Sequence, residues 1–309
     1  ALVAALVFVA TAFVSVFLVR TIDESEESDA SVETATVAPV AAADSGAAKS
    51  AADSGAALVA ARAAAAVDGI PAARRRSLGP SVFCFMLVTP FGVDLDLMRE
   101  QFAKSLSIFG CDRSVVFSNK TLPRDWGLDD HQRTIKGSLK AETGGKWRTA
   151  MNSPIFIKVW EAVFNDGSFR DYDWTVKVDP DAVFLPGRLR RRLALHDGNL
   201  SVFLDNCKFG LHGPIEVISR PAMELFASWG MNACKDTLKT EEMGEDWFLG
   251  ACLSSFGVSG VKDFRLLREW ACGDNPSPCT SPHVTFHPFK TRESWFECMH
   301  QVDLSDEPT

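Results

Sequence analysis

The sequence predicts an α/β domain over residues 81–309, with a mixed, mostly parallel sheet flanked by helices. Three observations carry that prediction: short apolar runs of buried-strand type, segments of helical period between them, and the strand, helix, strand order in which they open. With 309 residues, 46% of them hydrophobic, the chain can bury a sizeable core. A formal net charge of -8 leaves no basic footprint, which argues against nucleic acid as a partner.

Ahead of the domain the composition changes twice. Ala1 to Val19 is an unbroken run of apolar and small residues ended by Arg20, close to the ~20 residues that cross a bilayer core. Residues 1–20 are therefore expected to form a transmembrane signal anchor. A cleaved signal peptide is the rival, although its apolar core of roughly 7–15 residues is shorter. Arg20 stands on the wrong side for a lumenal C-terminus, so the orientation stays open. From Thr21 to Pro80 an acidic stretch gives way to Ala/Ser/Gly-rich sequence in which Ala42–Ala48 recurs as Ala51–Ala57. Such a segment cannot bury enough apolar surface to offset chain entropy, so residues 21–80 are expected to be a disordered stem. Arg74-Arg75-Arg76 near its end reads as a solvated linker run, with proteolytic processing as the minority reading.

Val82 to Val88 then reads as a buried strand, Asp94 to Phe109 as a helix, and Arg113 to Ser118 as a second strand. Leu122 to Thr149, polar and glycine-punctuated, is expected to be irregular. Ser153-Pro154 reads as a helix start with Ser as N-cap, and Gly167 as its end. Asp171 to Pro186 follows, the stretch DYDWTVKVDPDAVFLP. Trp174 to Val178 forms a strand that runs into Asp179-Pro180-Asp181, and an extended backbone would turn both carboxylates the same way. Two oxygen ligands at a strand end suit a hard cation, Mg2+ or Mn2+, although a bare D-x-D is more often an acidic surface turn. An EF-hand is excluded, because Val183 sits where a third oxygen ligand is required.

Past Pro186 the pattern continues with a short basic helix (Arg188 to Leu195), a strand (Ser201 to Leu204), a glycine-flanked His212, a strand (Ile215 to Ile218) and a helix at Pro221. Gly244-Glu245-Asp246 opens an apolar helix, whose N-terminus favours ionised carboxylates. His283 and His287 lie four apart in a strand-like segment, hence on one side of it. All eight cysteines lie beyond residue 80 without a C-x-x-C pair, which fits a disulfide-bearing secretory domain. The closest two, Cys272 and Cys279, are the expected bridge. Sequons at Asn119 and Asn199 add weakly to that reading.

Four segments now stand in one order: DWTVKVDPDAVFLP, HGPIEVISRPAMELF, GEDWFLGACL and HVTFHPF. In order and spacing they resemble glycosyltransferase family 31, the β1,3-glycosyltransferases of fringe and core-1 galactosyltransferase type, over roughly Ser81 to His300. The resemblance implies a GT-A-like fold and a type II layout, with the catalytic domain lumenal in the Golgi or ER membrane. It implies a nucleotide-sugar donor, a UDP-sugar by that family's habit, a glycan or glycoprotein acceptor, and Mn2+ (or Mg2+). Carried over by residue, Lys177, Asp179 and Asp181 occupy the K-x-D-x-D positions, with Pro180 replacing the family's middle Asp. Asp179, Asp181 and His287 are the implied metal ligands, His283 being second choice, and Asp246 the implied catalytic base. Lys177, Asp179, Gly213, Arg220 and Glu245 are the implied substrate- and donor-side residues. Trp247 stands where the family commonly has Val. The implied activity is inverting transfer of a hexose or N-acetylhexosamine. A catalytically inactive, membrane-tethered glycan-binding or scaffold protein is the alternative.

Overall fold

A computed structural model describes residues 79–144 and 149–306 of the chain. In order these form β1 (Val82–Leu87), α1 (Val93–Ala103), β2 (Arg113–Ser118), β3 (Gln132–Thr134), β4 (Glu142–Gly144), β5 (Thr149–Met151), α2 (Ser153–Asp166) and β6 (Trp174–Val178). The second half adds β7 (Val183–Phe184), α3 (Pro186–Leu193), β8 (Val202–Asp205), β9 (Ile215–Ser219), α4 (Arg220–Leu225), α5 (Met231–Thr237), α6 (Glu245–Ser255), β10 (Ser259–Lys262), β11 (Leu267–Arg268), β12 (Thr285–Phe286) and α7 (Arg292–Asp306).

Among the described residues, seven strands make one sheet in the order β10-β8-β9-β6-β1-β2-β3, and three make a second in the order β11-β12-β7. Within the large sheet every neighbouring pair is parallel except the two that β9 makes, with β6 and with β8. The fold is therefore mixed α/β with a mostly parallel central sheet, and β6 lies fourth from either edge. Helices cover both faces, which is why these strands read as continuous apolar runs rather than alternating ones. Phe83 and Phe85 of β1 pack on one face with Trp160 and Phe226, while Cys84 and Met86 pack on the other with Met98 and Leu189. A third cluster around Val183, Phe286 and Trp295 joins the small sheet to α7.

Several local expectations need correction. Asn152, not Ser153, is the N-cap of α2; the Ser153 hydroxyl instead donates to the Met243 carbonyl at 2.7 Å. The stretch from Leu122 to Thr149 is not wholly irregular, since β3 pairs in parallel with β2 at the sheet edge. Cys272 and Cys279 do not bond each other. The bridges are Cys84–Cys111, Cys207–Cys272, Cys234–Cys252 and Cys279–Cys298, so the 273–278 loop is held from two sides rather than closed on itself. Asn199 is exposed, whereas Asn119 is half-buried and its amide donates to the Gly137 carbonyl. Among the described residues no helix is long and apolar enough to cross a membrane. The predicted anchor over 1–20 and all of the stem before Gly79 lie outside the described residues, Arg74–Arg76 included.

Candidate active site

The two sheets meet where β6 ends and β7 begins, and the connection is Asp179-Pro180-Asp181-Ala182. It is a turn rather than extended backbone, with Ala182 N donating to the Asp179 carbonyl at 3.1 Å. Three side- and main-chain donors clamp it from outside. Gln101 of α1 donates to the Pro180 carbonyl at 2.8 Å, Phe289 N to the Asp181 carbonyl at 2.9 Å, and the Trp295 indole of α7 to the Ala182 carbonyl at 3.1 Å. Pro180 fixes its own φ and needs no hydrogen-bond partner for a missing N–H, so the turn is rigid at the point where carboxylates are displayed.

Strand β12 pairs antiparallel with β7, and this register delivers His287 to the turn. One ligand atom each from Asp179, Asp181 and His287 lie within 4.8 Å of one another. Two carboxylates and an imidazole form a donor set that suits Mn2+ or Mg2+. His283 lies apart from this group: it meets Ser281 Oγ at 2.8 Å, and its carbonyl accepts from Arg188.

Beneath the turn lies Lys177, wholly buried on β6. Its ammonium donates to the Gly213 carbonyl at 2.7 Å and pairs with Asp179 Oδ1 at 2.6 Å and Glu245 Oε1 at 2.9 Å; it sits 4.7 Å from the Phe156 ring centroid. Burial alone would lower its pKa, but the surrounding carboxylates outweigh burial and hold it well above the ordinary lysine value. Lys177 and Glu245 are thus engaged with each other under the surface, between the turn and the start of α6. Glu216 of β9 sits opposite Lys177 in the register, buried, with neither carboxylate oxygen hydrogen-bonded. Burial pushes its pKa well above the ordinary glutamate value, against the pull of Lys177.

Because β9 runs against its neighbours, its N-terminal end lies at the same edge as the C-terminal end of β6. That brings His212 and Gly213 to the site. The side chain of Asn206, buried after β8, holds this loop by accepting from His212 N (2.9 Å) and donating to the His212 carbonyl (2.8 Å). The start of α6 comes in against it. Glu245 N donates to the side chain of Asn152 at 2.9 Å, so the N-cap residue of α2 also satisfies a first-turn amide of α6. A Cβ at Gly213 would fall 2.8 Å from Glu245 Oε1, so any side chain here would displace that carboxylate.

Asp246 accepts from His212 Nδ1 (3.0 Å) and Gly213 N (3.2 Å) through Oδ2, and from Trp247 N (2.7 Å) through Oδ1. Burial would raise its pKa, but His212 and these amides bring it below the ordinary aspartate value. His212 Nε2 lies 3.1 Å from Glu269 Oε2, and His287 Nδ1 lies 3.2 Å from the same oxygen. Both approaches are off the hydrogen-bonding angle, so they are close ion pairs. His287 Nε2 is 3.3 Å from Asp181 Oδ1, and Lys290 Nζ is 3.0 Å from Asp181 Oδ2. The result is one chain of alternating charge: Asp246, His212, Glu269, His287, Asp181, Lys290. Against the effect of burial, it pushes His212 up to about 10 and His287 to about 9, and it lowers Glu269 and Asp181 to about 2 each.

The structure therefore brings together Lys177, Asp179, Asp181, Gly213, Glu245, Asp246 and His287. Arg220 is not among them. It opens α4 beside Asp173, beyond the β9 end that pairs with the start of β6, and so lies at the opposite edge of the sheet. His212, Glu269 and Lys290 belong to the site without having been singled out for it, and only the glycines around His212 offered a signal.

No protein-family model matches the sequence, and no curated protein is detectably similar to it. Among solved structures, the chain is similar to a glycosyltransferase involved in glycosylation of the major capsid of PBCV-1, at 11% identity over 61% of this chain and 85% of that one, with a TM-score of 0.37. It is similar to a cytidylyltransferase from Leptospira borgpetersenii serovar Hardjo-bovis at 12% identity over 63% and 79%, TM-score 0.34. It is also similar to the mannosyltransferase PcManGT from Pyrobaculum calidifontis, solved with GDP-Man and Mn2+, at 13% identity over 70% and 64%, TM-score 0.34. Likenesses this distant leave the chemistry to be argued from the side chains themselves.

Proposed function

We propose that the chain is an inverting, divalent-metal-dependent glycosyltransferase of GT-A-like fold. It would move a hexose or N-acetylhexosamine from a nucleotide-sugar, a UDP-sugar in the first instance, to a hydroxyl of a glycan or glycoprotein. One observation carries this reading: an Asp-Asp-His group and a separate ionised carboxylate, Asp246, face the same sheet edge and are joined through His212 and Glu269. Asp179, Asp181 and His287 would hold Mn2+ or Mg2+, which when bound offsets the charge of a diphosphate leaving group. Asp246, at the first turn of α6, accepts the acceptor's proton as its oxygen attacks the anomeric carbon on the face opposite the leaving group, which gives inversion. His212 and Gly213 N hold that carboxylate in place, and Lys177 fixes Asp179 from below. Four disulfides support an oxidising compartment, in keeping with a lumenal domain of a type II Golgi or ER membrane protein anchored by residues 1–20 and spaced by a stem over 21–80.

The test is nucleoside diphosphate release from a panel of nucleotide-sugars by the full chain, stripped of metal and then reloaded with Mn2+ or Mg2+. Turnover should require the metal and should disappear in Asp181→Ala while the circular dichroism spectrum and melting cooperativity stay native. No turnover with any donor would sink the enzyme reading, and a fully active Asp181→Ala would sink the ligand assignment. Glycan binding without turnover would leave the inactive, tethered glycan-binding alternative.

A further inference from the structure

The triplet Asn199-Leu200-Ser201 is an Asn-x-Ser sequon that the catalytic reading leaves unused. It lies in the loop between α3 and β8, in a turn closed by Leu200 N donating to the Asp197 carbonyl at 3.2 Å. Asn199 is exposed there, and its amide donates one of its two hydrogens to Asp197 Oδ1 at 3.0 Å. Ser201 is built the other way: its Oγ is buried with no hydrogen-bond partner, although a buried hydroxyl left unpaired costs stability. The fold makes no use of a hydroxyl at this position, whereas the triplet does. The second triplet, Asn119-Lys120-Thr121, has a different setting. Asn119 is half-buried with its Oδ1 enclosed, and its amide donates to the Gly137 carbonyl at 3.0 Å, tying the end of β2 to the chain after β3.

We propose that Asn199, and not Asn119, carries an N-linked glycan. The proposal rests on the lumenal reading above, because its donor, a lipid-diphosphate-linked oligosaccharide, belongs to the compartment in which disulfides form. In the transfer a bond forms between Asn199 Nδ2 and the anomeric carbon of the first sugar. The bond from that carbon to the diphosphate oxygen breaks, the lipid diphosphate leaves, and the amide gives up one proton to the medium. Ser201 Oγ is enclosed once β10 pairs with β8 and Ser259 N donates to the Ser201 carbonyl at 3.2 Å, so the transfer precedes closure of the sheet on this side. The finished fold leaves the modified side chain outside, next to Leu200, which is 57% exposed. Topology separates the two triplets. Strand β8 is antiparallel to β9, and β9 to β6, so the loop before β8 lies at the edge where β6 starts, opposite Asp179-Pro180-Asp181. Asn119 follows β2, which is parallel to β1 and through it to β6, and so stands at the same edge as the candidate site. A branched glycan on Asn199 therefore leaves that site open, whereas one on Asn119 would crowd it and compete with the Gly137 contact.

Peptide mapping by mass spectrometry tests this on the full chain made in a eukaryotic secretory host. Glycans are released by an amidase in heavy-oxygen water, which marks each occupied asparagine as a labelled aspartate. Asn199 should carry the label and Asn119 should not. On gels, Asn199→Gln and Ser201→Ala should each lose the mobility shift of one glycan, Ser201→Thr should keep it, and Asn119→Gln should leave it unchanged. A labelled Asn119, an unlabelled Asn199, or a Ser201→Ala chain that keeps the shift would overturn the proposal. The thiols of the same sample tell which premise failed. An unlabelled Asn199 with all eight cysteines bridged defeats the site alone, whereas an unlabelled Asn199 with free thiols defeats the lumenal reading and the site with it.

Discussion

His212 sits between two carboxylates, and its charge is set by both. Asp246 and Glu269 dominate, because their oxygens stand 3.0 Å and 3.1 Å from its two ring nitrogens. Its folded value of about 10 lies above the ordinary 6.5, so its contribution to stability is complete below pH 6.5 and is lost as pH rises through about 10. Glu269 has the opposite sign: its folded value of about 2 lies below 4.5, so its contribution is present above that value and is lost as pH falls through about 2. The melting temperature of the metal-free full chain should therefore be highest between about pH 5 and 6.5 and should decline on both sides. His212→Gln should flatten the alkaline decline, and an unchanged alkaline slope in that variant would show that His212 is not the group responsible. At this scale the acidic members of the site were legible. Asp179, Asp181 and Asp246 stand at a strand end and a helix start, positions that sequence marks. Glu269 and Lys290 follow two-residue strands and a loop, and nothing local distinguishes them from surface charges. The burial of Lys177 and Glu216 was not legible for a related reason: strands buried on both faces show no alternation, so a buried charged residue cannot be told from an exposed one.

Among elements, the approach of the β9 loop to the first turn of α6 leaves no room for a side chain at Gly213. Adding a methyl at Gly213 would drive Glu245 off Lys177, since its Cβ would stand 2.8 Å from Oε1. That carboxylate is the end of a flexible side chain and can move, but its movement strips a buried ammonium of one partner. Gly213→Ala should cost about 1–3 kcal/mol, the range for overpacking, read as the shift in urea midpoint. Transfer should fall by at least about 10-fold, because the Gly213 amide and the base share this contact. A variant with wild-type turnover would show that the site tolerates the displacement. The longer elements were readable from apolar runs and helical periods, as with β1, β2, α2 and α6. Strands β7, β11 and β12, two residues each, carry no period at all; they exist because they pair with one another, and so the route by which His287 reaches the turn was not readable. His283 illustrates the same point, because the strand-like segment is too short to keep residues four apart on one side.

Across the whole molecule, the Cys207–Cys272 bridge closes the widest interval of the four, with a sequence separation of 65, and ties the end of β8 to the segment after β11. Asn206 and Glu269 flank it on the two sides, one holding the His212 loop and the other contacting the His212 ring. Replacing both cysteines by serine should lower unfolding free energy by roughly 2–4 kcal/mol, measured by urea denaturation under oxidising conditions. No loss would mean that the unfolded chain is compact enough for the bridge to add no constraint. Parity and spacing indicated that the cysteines would bridge, but the nearest-neighbour choice failed because proximity along the chain is a weaker guide than the fold that separates Cys272 from Cys279. One small feature has a mechanical reach at this scale. Asn152 follows β5, caps α2, and accepts the amide that opens α6. The starts of two helices therefore hang on one side chain, so a push on β5 is felt at the first turn of α6, which carries Asp246.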